Sequence, residues 1–175
     1  MSGINQIQMS FVPGEDRILL RMNTMDATGF QFWLTRRYVK LLWPVLLSML
    51  IKDEKISTQS SEEAKKEVLS FQHEEAAQQM DYSKQYQEPT DQQPLGSEPI
   101  LLSKIAVKDV AEGKQALCMH PETGHGVELA MNQTLLHSIC KLLQDTVAKS
   151  EWEMDLSQAL KPALTPAGQD ARMIN

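Results

Sequence analysis

Shifted by 97 positions, the segment Arg17–Leu50 lies on Lys114–Val147 without a gap. Leu20 falls on Leu117, Met22 on Met119, Gly29 on Gly126 and Leu46 on Leu143. Phe30, Phe32, Leu34, Val39 and Leu42 fall on Val127, Leu129, Met131, Leu136 and Ile139, conserving apolar character. An internal repeat constrains the fold more than any local pattern. A unit too small to bury its own apolar face must bury it against its copy.

Each copy reads as three strands and a helix. Ile4–Val12 alternates, with Ile7, Met9 and Phe11 on one face and Gln6, Gln8 and Ser10 on the other. Period two with one polar side marks a half-buried strand. Pro13-Gly14-Glu15-Asp16 supplies a turn. Arg17–Asn23 follows as a strand with Ile18, Leu20 and Met22 inward, and Phe30–Leu34 as another with Gln31 and Trp33 outward. Thr35 is placed to cap a helix whose stripe is Tyr38, Val39, Leu42, Leu46, Met49 and Leu50. Pro44 lies inside that helix and is expected to kink it.

The second copy repeats the plan. Leu101–Asp109 is a strand, Asp109–Gly113 a turn, and Leu117 and Met119 alternate in the next strand. Val127, Leu129 and Met131 form a third inward face. Asn132 takes the capping place, and Leu135, Leu136, Ile139, Leu143 and Val147 form the helix stripe. The first strands match at a shift of 98, which implies a one-residue difference in the turn that follows them.

The expected architecture is therefore α+β: an internally duplicated β-β-β-α unit with an intervening helix and linker, related by a pseudo-twofold. The first unit spans residues 1–52 and the second 100–155. Between them, residues 53–99 form a connector with a helix over 61–80, and residues 156–175 a mobile tail. The connector holds 11 of the 23 acidic side chains and 4 of the 17 basic ones, so the rest of the chain is close to neutral. A neutral body is a poor match for phosphate backbones. The longest apolar stretch, Leu41–Ile51, is about half of the roughly 20 residues needed to cross a bilayer. The N-terminus shows no basic segment followed by an apolar run. The expectation is a cytoplasmic protein with no membrane partner.

Phosphate-binding glycine loops and the nucleophile elbow are absent from the sequence. His73-Glu74-Glu75-Ala76-Ala77 opens like a zincin helix but has Ala77 where the second histidine belongs. Two constellations remain. Cys118, His120 and His125 offer soft sulfur and imidazole suited to zinc, with His137 and Cys140 downstream. The first unit has Arg21, Asn23, Thr28, Lys40 and Trp43 at the matching places, so the framework needs no metal. Arg17, Arg21 and Trp33 should share a sheet face, where arginines beside an aromatic could clamp single-stranded nucleic acid. An ion-paired surface, or one covered by the other unit, is the plainer account of that face.

The stretches Glu15–Arg21, Phe32–Val39 and Phe71–Ala76 resemble a family of small bacterial proteins of unknown function. The resemblance implies a bacterial origin and carries no activity, cofactor or site residue. The sequence thus points first to a non-catalytic protein-interaction or scaffold module. It would act through its acidic connector on an unidentified protein partner, with a homodimer as a further expectation. A nucleic-acid binder and a zinc protein or metalloenzyme stand behind it.

Overall fold

The computed structural model describes residues 3–52, 61, 63–64, 67–68, 71–72, 74–75, 85–89 and 92–156. Among the described residues it is α+β, with two sheets and two long helices. Strands β1 (Ile4–Val12), β2 (Arg17–Thr24) and β3 (Gly29–Thr35) lead into helix α1 (Arg36–Ile51). A two-residue strand β4 (Ile100–Leu101) comes next, then β5 (Lys104–Asp109), β6 (Gln115–His120) and β7 (Val127–Met131), and helix α2 (Gln133–Lys149). The first sheet is ordered β1-β2-β3-β4 and the second β5-β6-β7.

The strand registers of the two meanders coincide. Ile18, Leu20 and Met22 of β2 face Leu34, Phe32 and Phe30 of β3. Ninety-seven positions later, Gln115, Leu117 and Met119 face Met131, Leu129 and Val127. The first strands keep the offset of 98, since Ile7 faces Met22 and Ile105 faces Met119. The alternating residues face inward as their parity requires.

The expected strand Leu101–Asp109 is divided. Ile100 and Leu101 pair in parallel with Phe32 and Trp33 of β3. The Leu102 amide donates to the Trp33 carbonyl at 3.1 Å, and the Ser103 amide to the His120 carbonyl at 3.0 Å. The chain therefore leaves the first sheet and enters the second within two residues, and Leu102 is buried at the crossing.

Both helices start as their caps dictate. The Thr35 hydroxyl accepts from the Tyr38 amide at 3.1 Å and the Asn132 side chain from the Leu135 amide at 2.8 Å. Each such cap contributes about 1 kcal/mol. Helix α1 runs unbroken through Pro44, which lies on its exposed side. Its buried stripe is wider than expected and includes Trp43 and Leu47. The reason is that α1 packs against α2 and β5 as well as β3.

One apolar core joins both halves. Ile7, Met9, Leu20, Met22 and Leu42 of the first half meet Leu117, Met119, Leu129 and Ile139 of the second around its centre. Helix α2 packs closely against β1, the strand farthest from it in sequence. Beyond α2, Trp152 is 2% exposed and stands edge-on to Phe11, with ring centroids 5.6 Å apart. Its indole N–H donates to Asp16 Oδ1 at 2.6 Å. Leu156 is buried, while the remainder of the expected tail, 157–175, lies outside the described residues.

In the expected helix over 61–80, the described residues 63–64, 67–68, 71–72 and 74–75 are helical. The Ser61 hydroxyl accepts from the Ala64 amide at 3.1 Å, as a capping serine does. The rest of that helix, including its expected end, lies outside the described residues. Residues 85–89 and 92–99 run along the first sheet.

Candidate functional site

The outer face of the first sheet carries Arg17, Leu19 and Arg21 from β2, opposite Thr35, Trp33 and Gln31 of β3. The expected grouping of Arg17, Arg21 and Trp33 on one face is therefore present. Period-two geometry places it there, because Ile18, Leu20 and Met22 must turn into the core. The face is not bare. The described connector residues 85–89 and 92–99 run along it as a strap, with a turn at Pro94-Leu95.

The strap is held at several points. The Gln87 amide donates to Gln6 Oε1 at 3.0 Å, and Asn23 Nδ2 donates to the Gln87 carbonyl at 2.8 Å. The Gly29 amide donates to the Gln92 carbonyl at 2.8 Å. Gln31 Nε2 donates to the Ser97 carbonyl at 3.3 Å. A side chain on residue 29 would overlap the Pro89 ring, so the close approach of the strap requires glycine there. Gly126, its counterpart in the repeat, is required for another reason. Its missing side chain would meet the Met119 carbonyl and the His120 ring.

Arg21 pairs with Glu88 of the strap at 3.7 Å, and Arg17 with Glu15 at 3.7 Å. Such half-exposed pairs are worth about 0–1 kcal/mol each. Tyr86 of the strap also lines the cleft beside Arg21, and burial raises its hydroxyl pKa. Trp33 is half-buried beside Leu101, so the opening residues of the second unit flank it. The strap residues Gln87, Glu88, Pro89 and Gln92 gave no signal in the sequence beyond a Gln- and Pro-rich composition.

The second constellation lies on the second sheet. Cys118 and His120 share the outer face of β6, and His125 is exposed in the loop before β7. Cys118 is 1% exposed, between Ala106 of β5 and Glu128 of β7. Lys108 Nζ contacts Glu128 Oε2 at 2.7 Å above it. Burial, with the Glu128 carboxylate adding to it, raises the Cys118 thiol pKa. The hydrogen bond from Lys108 lowers that of Glu128 and raises that of Lys108. A thiol held protonated in this way is a weak nucleophile and a weak ligand.

His137 and Cys140 face the interior from α2, and Cys140 belongs to the core on the opposite side of the second sheet from Cys118. Both thiols are free. Burial pushes Cys140 up to about 12. Among the described residues, no three or more His, Cys, Asp and Glu side chains are grouped to hold a metal ion. No described helix is long and apolar enough to cross a membrane. Comparison with protein-family models, with curated proteins and with solved structures finds no match for this chain.

Proposed function

We propose that this chain is a non-catalytic protein-interaction module whose acidic connector carries the docking surface. The observation behind this reading is Phe71, which stands 67% exposed on the helical stretch of the connector. Val68 anchors the same stretch to the core, while Glu74 and Glu75 beside Phe71 are exposed. Burying a phenylalanine side chain is worth about 1.5–3 kcal/mol, which a partner's apolar pocket would recover. The flanking carboxylates favour a basic rim around that pocket.

The test is affinity capture from the native host's extract with the untagged chain and with Phe71→Ala. A stoichiometric protein partner retained by the parent and lost by the variant is the expected result. Nucleic acid or zinc in the same eluate, without a protein, would overturn the reading.

The equal registers of the two meanders, with capping residues at matching places, also support a duplication of one β-β-β-α unit. In this reading the pseudo-twofold passes through the shared core.

A further inference from the structure

The outer strands of the two sheets are not treated alike. β1 is packed by α2 and carries an irregularity between Ile4 and Gln6. β3 is paired by β4. β5 is touched by α1 and bears two exposed lysines, Lys104 and Lys108. These are the usual ways of shielding a strand edge. β7 has none of them among the described residues. It is regular against β6, contains no proline and no basic residue, and no described strand pairs with its other side. The equivalent edge of the first sheet is the one that accepts β4, at Phe32 and Trp33, the counterparts of Leu129 and Ala130.

We infer that β7 pairs with β7 of a second copy of this chain, antiparallel about a twofold at Leu129, to give a continuous six-stranded sheet. The five residues Val127–Met131 are self-complementary in that register. Leu129 meets its own copy, Val127 meets Met131, and Glu128 meets Ala130. The one charged residue of the strand is thus placed opposite a small neutral one. A twofold at Glu128 would oppose two carboxylates, which is unfavourable across strands. Val127, Leu129 and Met131 stay in the core, and only the exposed Glu128 and Ala130 line the outer side of the new junction. The contact is short, so it forms a reversible dimer of the weak class.

The test is sedimentation equilibrium of the full chain over a wide concentration range, with Ala130→Glu and Ala130→Lys compared with the parent. Each substitution enters the junction twice. Ala130→Glu opposes Glu128 and should weaken the dimer about tenfold, and Ala130→Lys should tighten it by a similar factor. Ala130 is exposed and faces Ala116 within its own chain, so the fold should tolerate both. Circular dichroism checks that. If Ala130→Glu does not fold, Ala130→Lys decides alone: a tighter dimer supports the pairing, and an unchanged one refutes it. A monomer at every concentration, or equal shifts in both variants, also refutes it. Neither outcome bears on Phe71, whose partner should be captured equally by the Ala130 variants.

Discussion

Replacing Trp152 by alanine is expected to remove a large part of this protein's stability. A tryptophan buries about 150–250 Å2 of surface. At about 25 cal/mol per Å2 that corresponds to roughly 4–6 kcal/mol. A compact unfolded chain already buries about 10–40% of such area, which brings the figure to about 2–5 kcal/mol. Large-to-small core substitutions of this kind cost about 3–5 kcal/mol, so the two routes agree. Trp152→Phe should keep the edge-on contact with Phe11 and lose the bond to Asp16, at about 1–2 kcal/mol. Asp16→Ala should cost about 2 kcal/mol, because it strands the buried indole N–H. It also puts alanine at a φ of 49°, in the left-handed region. Asp16→Asn keeps an acceptor and tolerates that backbone, and should be nearly neutral. The assay is urea unfolding followed by circular dichroism, with the midpoint read at constant slope. A loss below about 1 kcal/mol for Trp152→Ala at unchanged slope would refute the view that this tryptophan locks the segment after α2 to β1 and the turn behind it.

Other outcomes follow from the same packing. Gly29→Val should lift the strap off β3, because its side chain would overlap the Pro89 ring. Chymotrypsin should then cut after Tyr86 faster than in the parent. Asn132→Ala should cost about 1 kcal/mol of stability by removing the α2 cap, measured by the same unfolding assay. Neither Cys118 nor Cys140 should react with a thiol reagent in the folded protein, and both should react in urea. Cys140 holds its proton more tightly when folded, up to about 12, than the ordinary thiol value of about 8.5. Its contribution is therefore intact below that ordinary value and is lost as pH rises toward 12. Stability should fall by about 1.4 kcal/mol per pH unit in that window, and Cys140→Ala should flatten this slope. Buried Tyr38, whose pKa is also raised, steepens the fall above the ordinary tyrosine range.

Local signals were legible and long-range ones were not. Strand parity placed Ile18, Leu20, Met22, Leu117 and Met119 in the core, since alternation needs only one buried face. The same parity put Arg21 beside Trp33, and Cys118 on the face of His120. Thr35 and Asn132 announced the helix starts through chemistry confined to four residues. The path of the strap was hidden. It depends on where Gln87, Pro89 and Gln92 meet strands some 60–80 positions earlier, and their composition says only that they need not form a helix or a strand. The break at Leu102 was hidden as well. Leu101–Asp109 alternates well enough to pass for one strand, and only the change of sheet divides it. Trp43 and Leu47 were missed because a stripe reading assumes one packing surface, whereas α1 has three.

The contact between α2 and β1 also orders events in time. During synthesis β1–β3 and the leucine-rich α1 emerge while the element that packs on β1 still lies more than a hundred residues downstream in the message. Until Gln133–Leu156 has left the ribosome, Ile7, Met9, Phe11 and the inner side of α1 lack their cover. Long-range closure of this type is slow and leaves apolar surface open to the wrong neighbours. Release of α2 therefore completes the first strand's environment, and a nascent chain stalled before Gln133 should engage chaperones far more than the finished one.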